Sequence, residues 1–395
     1  MSRIMRIGIA GLGVAVTDIL PFLFKNPFVK VTAVADIRAE AVDQFVSRHQ
    51  VEGYYSVEDL CKSKNIDVVY VCTPNHLHCE HVIIAAEHHK DIIVEKPMAL
   101  TMEECEKMNQ AVERNHVRLL CGHTHSFDPP IQKMQEIVAS GELGNLMMIN
   151  AWNFTDFMYR PRMPHELDTT RGGGAVFIQG PHHIDIIRQI ANRKLKSVKA
   201  MTGVYDPARK TEGMYVAYLE FEDGTPATVV YNGYAHYDTA ELNGWVSEVG
   251  RRRRDVNTNY KMRELLKHAE DESKMKSDMR FGGPLAGEWD RLINGVGEEN
   301  PKLQPFFGLT IVSCEHGDIR QSESGLILYK NDSKVEIELE EAKYARDLEI
   351  NEMYRAVVND EPVFHDGRWG QATLEVCQAI YQSAKEKKEI FLKYQ

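Results

Sequence analysis

Roughly the first 120 residues alternate short apolar runs with segments that carry helix-start signals, and this alternation restricts the fold more than any other feature. RIGIA (6–10), VKVTAVAD (29–36), DVVYVC (67–72), DIIVEK (91–96) and VRLLC (117–121) are apolar or β-branched along most of their length. Strands buried on both faces of a parallel sheet read this way, whereas a half-exposed strand would alternate polar and apolar. Between them, SVED (56–59) and TMEE (101–104) fit the capping box, in which a hydroxyl and an acid satisfy free backbone donors at a helix start. The predicted class is α/β, with a doubly wound parallel sheet in an N-terminal domain of residues 1–124.

After Phe127 the pattern changes. LMMINAWNF, VKAMTGVYD, MYVAYLEFEDGTPATVVYNGYAH and GDIRQSESGLILYKNDSKVEIELE read as long strands, and EDGT and KNDS supply hairpin turn chemistry. Residues 125–395 are therefore predicted to form an α+β domain with an open, mostly antiparallel sheet. A charged insertion at 251–280 reads as helical and exposed, and the Arg251–Arg254 run as a solvated loop.

The net charge of −11, from 47 basic and 58 acidic residues, argues against a general nucleic-acid binder. Seven scattered cysteines without a CxxC pair suggest reduced thiols. MSRIMRIGIA runs into a strand without a signal-peptide core, and ILPFLF is too short to span a bilayer. A cytoplasmic protein with no membrane partner is expected.

The turn after the first strand, GIAGLGVAV, places Gly11 and Gly13 where a tight turn and a bare backbone let a pyrophosphate approach a helix N-terminus. Val16 stands at the third glycine of the usual G-x-G-x-x-G. Asp36 ends the second strand about 20 residues on, where an acid binds the ribose hydroxyls. That acid repels a 2′-phosphate, so NAD is the expected cofactor, with Arg38 leaving NADP open. CTPNHLHCEH (72–81) and VEKPMAL (94–100) fall at the carboxyl ends of parallel strands, where open α/β sheets bind ligands.

In GPHHIDIIRQI (180–190), helical spacing separates two adjacent histidines. His183 shares a face with Ile186, Ile187 and Ile190, whereas His182 shares one with Asp185, Ile186 and Gln189. His183 is thus expected in the core, and His182 beside a carboxylate that could orient its ring.

Together, GIAGLG, the acid of AVAD, TPNHLH, EKP, and GGG followed by GPHHID resemble the Gfo/Idh/MocA family of nicotinamide-dependent oxidoreductases, from the first strand to GRWGQATLEVCQAIYQSA. ADIRAEA, NFTDFMYRPR, ELDTTRGGG, SCEHGDIRQS and Val16 look most like the branch of phthalate and chlorobenzoate cis-dihydrodiol dehydrogenases. The resemblance implies a Rossmann domain followed by a substrate domain that often supports dimers or tetramers. It implies cofactor contacts from Gly11, Gly13, Asp36, Arg38, Thr73, Pro74, Asn75, His78, Glu95 and Lys96. It also implies that Lys96 reaches both the nicotinamide and the substrate hydroxyl.

Many relatives carry Asp-x-Gly-x-His in the second domain; this chain reads Ile178, Gly180 and His182 there. Loss of the aspartate counts against a polyol grip and leaves His182 as the general base, with Lys96 as its partner and Asp185 behind it. His123 and His125 replace the arginine found before the Phe in many relatives, and are expected to contact substrate rather than a metal. Arg160 and Arg162, with Arg171, suit bidentate carboxylate binding. No metal is expected. The expected reaction is hydride transfer from a carboxylated cyclic cis-diol to NAD or NADP, in a homodimer or homotetramer. The alternatives are a sugar or cyclitol dehydrogenase of the same family and a non-catalytic nicotinamide-binding regulator. A metal-dependent hydrolase built on His123 and His125 would leave EKP and the glycine turn unexplained.

Overall fold

A computed structural model of the chain describes residues 3–122, 124–253, 258–286, 303–340 and 345–395. They form two compact units that are not contiguous in sequence. The first draws on Met1–His123, Ser273–Trp289 and Arg346–Leu374, and the second on Thr124–Glu272, Asp290–Ala345 and Glu375–Gln395. Residues 273–286 and 346–374, read from sequence as parts of the second domain, thus cluster with the first. The reason is apolar: Phe281, Ile350 and Met353 are buried in the first unit's core beside Ile7, Val34 and Phe45.

In the first unit, strands and helices alternate as β1 (Met5–Ala10), α1 (Val14–Lys25), β2 (Val29–Ala35), α2 (Ala39–His49), β3 (Glu52–Tyr54), α3 (Val57–Lys62), β4 (Val68–Val71), α4 (His78–Glu87), β5 (Asp91–Glu95), α5 (Met102–Asn115) and β6 (Leu119–Gly122). The six strands pair in parallel in the order β3-β2-β1-β4-β5-β6. This is the Rossmann order, and its direction reverses between β1 and β4, where ligands bind beyond the strand ends. Thr101 and Glu104 form the full capping box at α5. At α3, Ser56 accepts from the Asp59 amide at 3.1 Å, but the Asp59 carboxylate takes the Ser56 hydroxyl at 2.8 Å, so the reciprocal half is absent.

The chain continues through α6 (Pro129–Ser140), β7 (Leu146–Phe154), α7 (Gly174–Ile178), α8 (Gly180–Ala191), β8 (Leu195–Gly203), β9 (Met214–Phe221), β10 (Pro226–Asn232), α9 (Thr258–Lys267) and α10 (Glu272–Asp278). It closes with β11 (Leu309–Cys314), β12 (Gly317–Gln321), β13 (Gly325–Lys330), β14 (Lys334–Glu338), α11 (Ala345–Asn359), α12 (Gly367–Glu386) and β15 (Ile390–Phe391). The second unit's sheet has the order β14-β13-β12-β11-β7-β10-β9-β8-β15. It is antiparallel apart from the β7–β10 pair, which runs parallel. One face builds the core with α8. The other leaves Trp152, Val216 and Met201 exposed in one row, because Val230 pairs with both Trp152 and Val216, and Val216 with Met201.

Every residue of α8 is buried, the polar His182–Asp185–Gln189 side as well as the isoleucine side. The helix is enclosed, since α6, α7, the Thr124–Phe127 turn and strands β7 and β10 all contact it.

Two expectations about the insertion need correction. The segment is helical, but Asn259, Met262, Lys276 and Met279 are buried rather than exposed. The arginine run is not a solvated loop either. Arg253 is buried against Asp238 and Arg252 pairs with Glu323, so these two charges are each met by a carboxylate. Arg254 lies outside the described residues.

Candidate active site

In the first unit, the turn between β1 and α1 is shaped for close approach. Gly11 has φ +94°, and a Cβ there would lie 2.9 Å from the Cys72 carbonyl oxygen. An L side chain fails on both counts. Gly13 caps α1 without a side chain, and a Cβ on it would meet only Cys72 O at 3.9 Å. The N-terminus of α1 is therefore bare, as a pyrophosphate on its amides requires. The Leu12 amide donates to Asp36 Oδ2 at 2.7 Å, which ties the ribose-binding acid to the glycine turn. Arg38 folds back on Asp36, with Nε 3.1 Å from Oδ1, and donates from Nη2 to Leu12 O at 2.6 Å and from Nη1 to Phe281 O at 3.4 Å. These residues fit a dinucleotide whose adenosine ribose carries free hydroxyls.

The loops after β4 and β5 are joined by His78. Its Nε2 faces Thr73 O at 2.8 Å and its Nδ1 faces Pro97 O at 2.9 Å, and the ring is fully buried. Both nitrogens are engaged by backbone, so His78 staples the TPN and EKP loops together. Burial pushes its pKa down against the pull of those carbonyls. Thr73 bonds His81 through its hydroxyl at 2.8 Å, Pro74 is exposed, and Asn75 opens a short helical turn.

Glu95 is buried, and its carboxylate accepts from the Tyr70 hydroxyl at 3.2 Å and meets Arg346 at 2.9 Å. Lys96 follows at half-buried depth, joined to Pro97 by a cis peptide bond. The glutamate of EKP is thus an internal anchor for the lysine beside it. Arg346 and Glu349, which complete this cluster, escaped the sequence reading because they lie far along the chain.

In the second unit, four aromatic rings converge. His125 stacks on Phe307 with centroids 4.4 Å apart, and His182 meets His125 edge-on at 4.8 Å and Phe307 at 5.0 Å. His183 points into the core and bonds the Tyr215 hydroxyl through Nδ1 at 2.9 Å. Burial, with His125 adding to it, lowers the His183 pKa to about 3. Asp185 is fully buried one turn beyond His182. His125 has a carboxylate partner that sequence did not single out, Asp128, at 2.9 Å. The available signal was the His-x-x-Asp spacing. His123 lies outside the described residues.

Arg160 donates from Nε to Asp156 at 2.9 Å; burial would lower its pKa, but Asp156 and Glu248 outweigh it and the net shift is upward. Arg162 donates to Phe157 O at 2.8 Å and Glu166 at 3.4 Å, with its guanidinium 3.8 Å from the Phe157 ring centroid. Arg171 is exposed. The glycine run is a packing requirement: a Cβ at Gly173 would lie 2.6 Å from the Glu166 backbone, and one at Gly174 2.4 Å from Thr211. Among the described residues, no three histidine, cysteine, aspartate or glutamate side chains gather as a metal site.

A family described as "Oxidoreductase family, NAD-binding Rossmann fold" matches residues 5–123, and the "GFO/IDH/MocA C-terminal domain" matches residues 131–247. The chain is 35% identical over 388 residues to the 1-carboxy-3-chloro-3,4-dihydroxycyclohexa-1,5-diene dehydrogenase of Comamonas testosteroni, covering 96% of this chain and 95% of that one. It is 28% identical to the myo-inositol 2-dehydrogenase of Thermotoga maritima over 50% of this chain and 58% of that one. Among solved structures, a protein described as a dehydrogenase from Bordetella bronchiseptica RB50 superposes with a TM-score of 0.91 at 35% identity, covering 98% of this chain and all of the other. The chain is an oxidoreductase of the GFO/IDH/MocA family, with an NAD-binding Rossmann domain.

Proposed function

We propose that this chain is an NAD-dependent dehydrogenase of a carboxylated cyclic cis-diol. The observation that carries the reading is the similarity, along nearly the whole of both chains, to a dehydrogenase whose name specifies a carboxylated dihydroxycyclohexadiene. Ile178 supports it, because an apolar residue suits a ring better than the polyol that an aspartate would grip. Arg160 supports it as well. Its Nε is committed to Asp156, while neither terminal nitrogen has a partner among the described residues, which leaves a fork for a substrate carboxylate. Arg162 and Asp185 are assigned to the same substrate environment.

When bound, NAD accepts a hydride from the carbinol carbon. Gly11, Gly13 and Asp36 hold its pyrophosphate and ribose, with Arg38, Thr73, Pro74, Asn75, His78, Glu95 and Lys96 completing the cofactor contacts. Within that set we assign His78 and Glu95 to shaping the loops that carry Thr73 and Lys96. Lys96 hydrogen-bonds the substrate hydroxyl, and His182 removes its proton as general base. For a cyclohexadiene diol the resulting enone tautomerises to a catechol, which draws oxidation forward.

We infer that two or four copies assemble through the open sheet face, where the exposed row of Met201, Val216 and Trp152 offers a self-complementary apolar surface. A cytoplasmic site is supported by seven cysteines that form no disulfide among the described residues. No helix among the described residues is long and apolar enough to cross a membrane.

The test is a screen of carboxylated cyclic cis-diols, inositols and sugars with NAD and NADP, read by absorbance of the reduced cofactor. Turnover of the cis-diols with NAD is expected. Preference for inositols would favour the cyclitol reading, for which the partial similarity to the Thermotoga inositol dehydrogenase speaks.

A further inference from the structure

Asp128 occupies the N-cap of α6, where an aspartate side chain ordinarily accepts from a first-turn amide. It makes no such bond. Its Oδ2 lies 2.9 Å from His125 Nδ1 instead, and Oδ1 has no partner. Asp128 is 2% exposed and His125 9%. Burying a carboxylate against one neutral partner is costly, whereas a buried carboxylate facing a cation is compensated. The pair is therefore poised to gain a proton. The other face of the arrangement is His182, whose ring meets that of His125 edge-on, with Phe307 packed against both.

We propose that Asp128 and His125 form a dyad that takes up the alcohol's proton from His182, with His125 as the acceptor and Asp128 as its positioning residue. This rests on the reading of His182 as the base. With Asp128 ionised, His125 donates Nδ1–H to it, which leaves the lone pair on Nε2. The substrate O–H bond breaks, and its electron pair stays on oxygen to form the carbonyl as hydride leaves the carbon. The proton goes to His182, then to His125 Nε2, and finally to water. Once protonated, His125 and Asp128 form an ion pair of zero net charge, better tolerated in a buried place than the single negative charge before it.

The surrounding charges act in the same direction. Burial raises the proton affinity of Asp128 against the opposing pull of His125, and Glu248 raises it further. His182 and His183 are the titratable groups that oppose a positive charge on His125. His183 stays neutral because burial holds its pKa near 3, so only His182 competes for the proton.

Side-chain 15N NMR and pH profiles of kcat, on the full-length protein and on Asp128→Asn, test the proposal. In the wild type His125 should carry its proton on Nδ1. In Asp128→Asn its titration should fall by about one pH unit or more, and kcat by on the order of 10²-fold. KM and NAD affinity should stay unchanged, and Asp128→Glu should recover part of kcat. Should Asp128→Asn fail to fold, His125→Gln must lose kcat without losing substrate affinity. A proton on Nε2 in the wild type, or an unaltered titration and pH profile in folded Asp128→Asn, overturns the dyad. If the wild type oxidises no alcohol, the dehydrogenase reading falls, while the NMR titration still decides whether the dyad exists.

Discussion

The Glu95 carboxylate lies 2.9 Å from the Arg346 guanidinium, so the end of β5 in the Rossmann sheet is tied to a helix that begins some 250 residues later. Arg346 also meets Glu349 at 2.9 Å, and Tyr70 donates its hydroxyl to Glu349 at 2.8 Å. One arginine therefore serves two buried carboxylates. Burial raises the proton affinity of Glu349, and Arg346 opposes that rise. The cluster sits directly behind the loop that carries Lys96, so its geometry bears on function as well as folding.

Arg346→Met should therefore destabilise the protein by about 3–5 kcal/mol, the usual effect of removing one partner from a buried ion pair. Urea unfolding at pH 7 measures it. The sign of the pH dependence follows from Glu349. A carboxylate whose folded pKa is raised favours the folded state at low pH and loses that contribution as pH rises through the folded pKa. The variant's deficit should thus shrink as pH falls, because a protonated Glu349 needs no counter-charge. A deficit constant with pH would show that Arg346 acts through packing alone.

The Rossmann sheet was legible because parallel strands buried on both faces leave continuous apolar runs, and because Thr101 and Glu104 announce a helix start within four residues. Long-range docking was not. Nothing local in ARDLEINEMYRAVVND says that its Arg346 and Glu349 serve the EKP loop, since the partners are joined only by the fold. Arg253 was misread for a related reason: a charge run looks solvated until Asp238 is known to lie beside it. Helical spacing placed His183 in the core, and it sits there against Tyr215. The same spacing gave His182 a polar side that is in fact enclosed, because periodicity reports which residues share a face and not what covers that face. Asp128 went unnoticed because nothing local in HSFDPP says that its carboxylate turns back to His125.

NAD should bind more tightly than NADP. Asp36 offers carboxylate oxygens at the ribose position, and Arg38 is occupied by Asp36, Leu12 O and Phe281 O. Asp36→Ser removes the repulsion and releases Arg38, so the NADP to NAD affinity ratio should rise by at least about tenfold, equivalent to about 1.4 kcal/mol. Fluorescence titration of both cofactors gives the ratio. Tighter NADP binding by the wild type would mean that Arg38 governs the choice.

Lys96→Ala should leave NAD affinity nearly unchanged and lower turnover by about 10²–10⁴-fold, the contribution of a positioned proton-handling group. Glu95 remains to hold the loop in this variant, so the loss reports on the amine alone. Cofactor titration and steady-state turnover on the same preparation separate the two effects. Near-native turnover would remove Lys96 from the reaction.

The adjacent histidines should divide cleanly between chemistry and stability. His182→Asn should lose most turnover with a small change in melting temperature, because its ring contacts with His125 and Phe307 are of a kind that contributes about 0.5–1.5 kcal/mol. His183→Asn should leave the folded enzyme active but cost about 1–3 kcal/mol, since it disturbs the buried bond to Tyr215. A pH series makes the second prediction sharper. His183 is held neutral in the fold, with its pKa lowered to about 3 by burial. A base whose folded pKa is depressed gives stability that is present above the unfolded value and lost as pH falls toward the folded one. From about pH 6.5 downward that loss is about 1.4 kcal/mol per unit, or about 2 kcal/mol by pH 5. Asparagine does not titrate, so the gap between wild type and His183→Asn should narrow by about that amount between pH 7 and pH 5. If the gap stayed constant, or if His183→Asn proved the inactive and fully stable variant, the assignment of the two rings would be reversed.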